Sequence, residues 1–125
     1  KEKRKEKKRN KGRSGGFDDT RELSCILEQS GLTIYPMDSD GNCLFRSIAD
    51  QLTGNPELHM IFRNRIMKYI ETHSDHFKLF MEDDESFDDY LSRMNESNEW
   101  GGHHELYAAS QCLNINITVY QLNSP

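Results

Sequence analysis

Apolar residues recur at helical spacing in four stretches of this sequence, and this periodicity limits the possible folds more than any other feature. The stretches cover residues 44–52, 58–70, 87–94 and 106–113. Spacings of three and four residues place such side chains on one face of an α-helix, where a neighbouring element can bury them. The longest stretch carries these inner-face residues: Leu58, Ile61, Phe62, Ile66, Tyr69 and Ile70. The sequence therefore predicts a mainly helical core.

Short local signals mark where these helices begin and end. Gly31 takes the position of a left-handed C-terminal cap for an additional, earlier helix. Asn55 followed by Pro56 is typical of a helix start, because a side-chain cap precedes proline at the first helical position. Ser86 lies three residues before Asp89 and approximates a capping box. We expect helices to begin at both of these caps.

Two segments, 32–36 and 115–121, alternate apolar and polar residues as β-strands do. Two strands alone make a marginal sheet in water, and the second segment would leave an apolar edge unpaired. We therefore predict an α/β (α+β) fold in which helices pack around a small central β-sheet. Its C-terminal strands are expected to lie beyond residue 125.

The charge is divided unevenly along the chain. Residues 1–16 hold nine Lys or Arg and two Glu, a net charge of +7, whereas the other 109 residues have a net charge of −12. Because a segment without apolar residues cannot offset its ordering entropy, we predict a disordered basic tail over 1–16 and one domain over 17–125. Such a tail is a solvated linker, a nuclear address or a nucleic-acid contact. Nucleic acid is not the expected partner, because the acidic remainder would repel phosphates.

Composition excludes several classes of protein. No stretch approaches the ~18 apolar residues that a membrane helix requires, and the basic N-terminus lacks the apolar run of a signal peptide. The three cysteines, Cys25, Cys43 and Cys112, are widely and irregularly spaced, which argues against a disulfide framework. We expect a reducing compartment, the cytoplasm or the nucleus. Cys25 and Cys112 are predicted to be buried and inert, and the acidic run 82–89 to be solvated.

Cys43 lies in the first turn of a predicted helix, directly after the turn-forming residues Asp40, Gly41 and Asn42. A helix N-terminus favours a thiolate, and the thiolate is the form of cysteine that attacks carbonyl groups. The N–H groups of such a turn can converge as an oxyanion site, and Asp40 is placed to orient an imidazole or to shape the turn. These residues alone leave two interpretations open, a cysteine nucleophile or a small buried apolar residue.

The stretch DGNCLFRSIADQL, which begins at Asp40, resembles the cysteine box of the OTU (ovarian tumour) deubiquitinases. The stretch WGGHHELYAAS over 100–110 is similar to the family's Trp-Gly-Gly-x-x-Glu-Leu segment. The resemblance covers roughly residues 30–125, and it implies an OTU-type cysteine-protease fold. The implied activity is hydrolysis of the isopeptide bond between the C-terminal glycine of ubiquitin and a lysine.

The resemblance also implies a role for each matching residue. Cys43 is the expected nucleophile and Asp40 the expected acidic member of the site. The oxyanion hole is expected from the backbone of Asp40, Gly41, Asn42 and Cys43, and the substrate-binding rim from Trp100, Gly101 and Gly102. No metal or cofactor is implied. The implied partners are ubiquitin or polyubiquitin and ubiquitinated proteins, and an acidic domain suits the arginines of the ubiquitin tail.

The sequence departs from the family pattern at the general base, a histidine near the C-terminal end of such domains. His76 precedes an aromatic residue, as that base does, but it comes before the Trp-Gly-Gly segment. His103 and His104 are adjacent on a predicted helix and point about 100° apart, so they are poor ligands for one metal ion. We therefore expect a truncated domain that is inactive by itself. The alternative is a ubiquitin-binding or protein-interaction module without turnover.

Overall fold

The structure is a computed structural model that describes residues 14–81 and 84–122, with side chains from residue 20 onward. Its helices are α1 (Ser14–Glu28), α2 (Cys43–Thr53), α3 (His59–Thr72), α4 (Ser74–Phe77), α5 (Phe87–Met94) and α6 (His103–Leu113). Short 3₁₀ turns at Pro56–Leu58 and Lys78–Phe80 precede α3 and follow α4. No helix in these ranges is long and apolar enough to cross a membrane.

The chain divides into two compact units. The larger unit runs from Asp40 to Ile117 and contains α2 to α6. The smaller unit contains the described residues before Asp40 and after Ile117.

The larger unit is a helical cluster with α3 at its centre. Helix α3 packs against α2, α4, α5 and α6. The buried apolar core of the larger unit consists of Phe45, Ile48, Ala49, Phe62, Ile66, Met67, Ile70, Phe77, Phe87, Tyr90, Met94, Ala108 and Ala109. These residues come from all five helices, as the helical periodicity of the sequence predicts.

The predicted caps are confirmed, although the Asn55 cap begins a 3₁₀ turn and α3 itself begins at His59. Helix α2 begins at Cys43 itself. The Asn55 side chain accepts a hydrogen bond from the N–H of Glu57 at 3.0 Å, with Pro56 at the first position of the following turn. The Ser86 side chain accepts from the N–H of Asp89 at 3.1 Å and caps α5.

The inner face of α3 differs from the prediction at three positions. Ile61 is 54% exposed, whereas Arg63 and Met67 are buried. Positions 63, 66, 67 and 70 share one face at helical spacing, so this face contains an arginine among apolar residues. The prediction missed Arg63 because it admitted only apolar residues to the inner face, and it misplaced Ile61 and Met67 because the inner face is rotated toward positions 63 and 67.

Helix α1 forms the main element of the smaller unit, and it ends as predicted. Gly31 has a φ of 79°, and the N–H of Leu32 donates to the carbonyl of Leu27 at 3.0 Å. Helix α1 includes residues 14–16, which belong to the predicted tail. Sequence patterns locate helix ends poorly. The rest of the predicted tail, residues 1–13, lies outside the described residues.

The predicted central sheet is not confirmed. Neither 32–36 nor 115–121 forms a strand, and residues 14–81 and 84–122 contain no strand at all. A strand exists where its N–H and C=O groups pair with a neighbouring strand, and alternation of side chains does not supply that neighbour.

Candidate active site

Cys43 occupies the first position of α2 and is half-buried. Asn42, the residue before the helix, makes no side-chain hydrogen bond that caps it. The N-terminal end of α2 therefore presents its positive dipole end without a capping side chain, which favours an anion such as a thiolate. The interpretation of Cys43 as a fully buried apolar residue does not fit this position.

The turn before Cys43 is held by its own hydrogen bonds. The N–H of Cys43 donates to the carbonyl of Asp40 at 3.2 Å, and the N–H of Asn42 donates to Oδ1 of Asp40 at 3.0 Å. The N–H of Gly41 donates to Oδ1 of Asn98 at 2.8 Å. The predicted oxyanion hole stays a prediction, and the N–H groups of Gly41, Asn42 and Cys43 could serve it only by exchanging their present acceptors for the substrate.

Asn42 connects this turn to the segment before α6. Its Oδ1 accepts from the N–H of Asn98 at 2.7 Å, and its Nδ2 donates to the hydroxyl of Ser97 at 3.3 Å. The side chain is 6% exposed. Because Asn42 turns toward this segment, it is unavailable to cap α2.

Two glycines allow the backbone segments to approach closely. A Cβ at Gly41 would lie 1.8 Å from the backbone oxygen of Asn98, and a Cβ at Gly101 would lie 2.4 Å from Cδ2 of Leu44. The Trp-Gly-Gly segment thus lies directly against the helix that begins with Cys43. Trp100, the residue before Gly101, is 55% exposed. The structure therefore places the predicted rim beside the predicted nucleophile.

Arg63 was not predicted as a site residue, and its side chain is fully buried beneath the turn. It donates to the carbonyl oxygens of Met94, Gly41 and Glu99 at 2.8, 3.0 and 2.7 Å, and to Oδ1 of Asn42 at 3.1 Å. Its guanidinium group lies over the ring of Phe45, 4.2 Å from the ring centre. Burial lowers the pKa of Arg63 from its ordinary value, against the opposing effects of nearby carboxylates. The signal in the sequence was an arginine at an inner-face position of α3.

Asp40 makes its contacts within the turn and with α2. Its Oδ2 lies 3.3 Å from Nη2 of Arg46, whose Nη1 lies 3.1 Å from Oε2 of Glu57. The structure therefore gives Asp40 a part in shaping the turn. Its predicted role as the acidic member of a catalytic site stays a prediction.

Glu105 fixes the far end of the Trp-Gly-Gly segment. Its Oε1 accepts from the N–H of Gly102 at 2.5 Å, and its Oε2 accepts from the hydroxyl of Tyr90. Burial, together with the negative charge of Glu105, raises the pKa of Tyr90, so this hydroxyl keeps its proton. The carboxylate thereby ties α5, α6 and the segment between them together.

Four of the five histidines pack against aromatic side chains or are exposed. His73 stacks on Tyr69, and His76 stacks on Tyr107. His104 lies near Phe80, and His103 is exposed.

His59 is the histidine influenced by the charges around the turn. Burial lowers its pKa, and Arg46 lowers it further. Within residues 14–81 and 84–122, no hydrogen bond joins the thiol of Cys43 to a histidine. The same residues contain no group of His, Cys, Asp and Glu side chains suited to a metal ion.

The other two cysteines differ from the prediction. Cys25 is exposed, and Cys112 is half-buried with its Sγ 3.8 Å from the carbonyl oxygen of Arg65. The prediction that both are buried is wrong for Cys25, because the outer face of α1 includes it. All three cysteines are free.

Comparisons with known proteins match the chain to a single family. Residues 38–125 match the family described as OTU-like cysteine protease. The chain is 40% identical over 124 residues to the OVARIAN TUMOR DOMAIN-containing deubiquitinating enzyme 7 of Arabidopsis thaliana, an alignment that covers 99% of this chain and 33% of that protein. OTU domain-containing protein 3 of Mus musculus, which residues 81–87 and 119–125 also resemble, is 29% identical over 91% of this chain and 29% of its own length. The chain thus spans about a third of the length of these relatives.

The structural comparison agrees with the sequence comparison. The OTU domain of OTUD1 superimposes with a TM-score of 0.75 and 28% sequence identity, covering 78% of this chain and 64% of that chain. The viral OTU domain protease of Dera Ghazi Khan virus superimposes with a TM-score of 0.56 and 26% identity, covering 65% of this chain and 52% of that one. The helical cluster is therefore an OTU-type fold, and the chain belongs to the family of OTU-like cysteine proteases.

Proposed function

We propose that this chain supplies the nucleophile of a deubiquitinase, a thiol-dependent hydrolase of isopeptide bonds at the C-terminal glycine of ubiquitin. One observation carries the proposal: a half-exposed cysteine begins a helix that no side chain caps, behind a turn fixed by buried hydrogen bonds. A nucleophile requires such a fixed position, because catalysis depends on holding the reacting atoms in alignment.

In the proposed reaction, the thiolate of Cys43 attacks the carbonyl carbon of the ubiquitin glycine and forms a tetrahedral oxyanion. The C–N bond to the lysine breaks, and the lysine amine leaves with a proton from the general acid. Water then attacks the thioester, releases the ubiquitin carboxylate and returns the thiol. We expect the acid and base to be a histidine outside this sequence, because none of the five histidines present, all of them in the described residues, makes a hydrogen bond to Cys43.

The test uses ubiquitin that carries a C-terminal electrophile, since a covalent adduct identifies the attacking cysteine. Four proteins are compared: this chain, a longer natural protein that contains it, and that longer protein with either Cys43→Ala or Cys112→Ala. Cys112→Ala serves as the matched control, because it removes another half-buried thiol of the same unit. We expect an adduct in the longer wild type and in Cys112→Ala, and none in Cys43→Ala.

Two outcomes would contradict the proposal. An adduct that persists in Cys43→Ala would assign the chemistry to another residue. Measurable ubiquitin affinity without any adduct in the longer wild type would favour a binding module without turnover.

A further inference from the structure

We propose that Arg63 is a positioning residue for Cys43, a role that rests on the proposed function. Arg63 does not reach substrate, because its side chain is fully buried. It acts through the turn, where it donates to the carbonyl of Gly41 and to Oδ1 of Asn42, the two residues that precede Cys43.

The guanidinium group joins two segments that are far apart in sequence. One pair of its hydrogen bonds reaches the turn at Gly41 and Asn42, and another pair reaches Met94 and Glu99, which bracket the segment ahead of Trp100. Nη1 donates to Met94, and Nη2, whose two hydrogens are shared, lies within hydrogen-bond distance of the other three acceptors. The planar fork of arginine reaches both segments in this way, whereas lysine offers a single point charge. The side chain thus holds the nucleophile and the predicted rim in one fixed arrangement.

Three of the four acceptors are backbone carbonyls, and the fourth, Oδ1 of Asn42, also accepts from the N–H of Asn98. Removal of the guanidinium takes a donor from the three carbonyls, while Oδ1 of Asn42 keeps the N–H of Asn98. Folded proteins avoid buried carbonyls without a donor. We expect the turn to relax toward other donors. Cys43 would then move relative to the carbonyl it attacks, and a misplacement of about 1 Å can lower a rate by about 10²-fold.

The first experiment measures how ubiquitin with a C-terminal electrophile modifies Cys43 in the longer natural protein. The limiting rate and the half-saturating concentration are compared for wild type and Arg63→Lys. We expect Arg63→Lys to lower the limiting rate about tenfold or more without changing the half-saturating concentration, because Arg63 is buried away from substrate. Trp100→Ala, which truncates an exposed side chain of the rim, is expected to raise the half-saturating concentration instead.

A second measurement separates positioning from loss of stability. Ile70 is fully buried two turns further along α3 and takes no part in the hydrogen bonds of the turn. Of Ile70→Val and Ile70→Ala, the variant whose urea midpoint is closer to that of Arg63→Lys is used. We expect this stability-matched variant to keep the wild-type limiting rate. Equal limiting rates in the two variants would overturn the proposal.

Two further variants and one probe complete the test. Asn42→Ala removes one acceptor of Arg63 and is expected to slow the same step, so the inference stays testable if Arg63→Lys does not fold. Alkylation by iodoacetamide, followed peptide by peptide, requires no ubiquitin. We expect Arg63→Lys to change the alkylation rate of Cys43 and not that of Cys112, which contacts Arg65 away from the turn.

The iodoacetamide result distinguishes the two proposals. If the longer wild type forms no ubiquitin adduct but Arg63→Lys still alters only Cys43 alkylation, the deubiquitinase proposal fails and the positioning role stands. If the wild type forms the adduct and Arg63→Lys changes neither rate, the positioning role fails and the deubiquitinase proposal stands.

Discussion

At the scale of the residue, the absence of side chains at Gly41 and Gly101 decides how closely two backbone segments approach. The obstacle differs between them, since Gly41 faces the backbone oxygen of Asn98 and Gly101 faces the end of the Leu44 side chain. The Asn98 backbone is held to the turn by two hydrogen bonds and moves less easily than a leucine side chain, which can change its rotamer.

We expect Gly41→Ala to lower the free energy of unfolding by about 1–3 kcal/mol or more, in the range typical of overpacked sites. Gly101→Ala should lower it less, because the flexible Leu44 side chain can move. Urea denaturation of each variant measures both effects. In a Leu44→Ala background, Gly101→Ala should no longer lower the free energy of unfolding. If it lowers that free energy as much as in the wild-type background, the contact with Leu44 is not the cause of the destabilisation.

His59 gives stability a pH dependence of known sign. Burial lowers the pKa of His59 below the ordinary value of about 6.5, and the positive charge of Arg46 lowers it further. Between the lowered pKa of the folded chain and the pKa of the unfolded chain, the unfolded chain binds more protons. The free energy of unfolding therefore falls as the pH drops through about 6.5.

The measurement compares urea midpoints at pH 7.5 and pH 5.5 for wild type and His59→Gln. We expect the wild-type midpoint to fall more than that of the variant, since glutamine does not titrate. An equal fall in the two proteins would assign the pH dependence to other groups.

At the scale of the element, α5 and α6 are joined through one buried pair, the Tyr90 hydroxyl and the Glu105 carboxylate. Glu105 also accepts from the N–H of Gly102, so the same carboxylate fixes both the helix start and the helix packing. A carboxylate that loses such a donor while it stays buried is left partly unsatisfied.

We expect Tyr90→Phe to lower the free energy of unfolding by about 1–3 kcal/mol, because Glu105 would lose a buried donor. Tyr107→Phe is the matched control, since Tyr107 lies on α6 and is 49% exposed, and its effect should stay within about 0.5 kcal/mol. Similar losses in the two variants, measured by urea denaturation, would contradict a special role for Tyr90.

The elements show which parts of this structure follow from sequence alone. Helices α2, α5 and α6 were predicted with their starts, because periodicity and caps are local properties. The strands at 32–36 and 115–121 were not confirmed, because a strand depends on a distant partner. Cys43 was placed correctly at the start of α2, but Arg63 was missed, because its acceptors lie 21 to 36 residues away in the sequence.

At the scale of the whole molecule, charge is distributed so that residues 17–125 carry a net charge of −12. Exposed charges of one sign act mainly on the rate at which a partner of opposite sign approaches, and salt screens them within a Debye length of about 10 Å at 0.1 M ionic strength. The proposed partner, with arginines in its tail, would experience this attraction.

We expect the second-order rate of ubiquitin adduct formation in the longer natural protein to fall several-fold between about 50 mM and 500 mM NaCl, because the attraction is screened. Alkylation of Cys43 by iodoacetamide, a neutral reagent, should not change over the same range. A salt-independent adduct rate would remove the role of charge in encounter.

The buried contacts of Arg63 have a consequence for how freely the surrounding sequence can change. Of the positions that it holds, only Asn42 contributes a side-chain atom, while Gly41, Met94 and Glu99 contribute main-chain oxygens. Every amino acid supplies such an oxygen. Arg63 therefore constrains the backbone path between Met94 and Trp100 and not the side chains there, whereas Ser97 and Asn98 are constrained by their own side-chain hydrogen bonds to the turn.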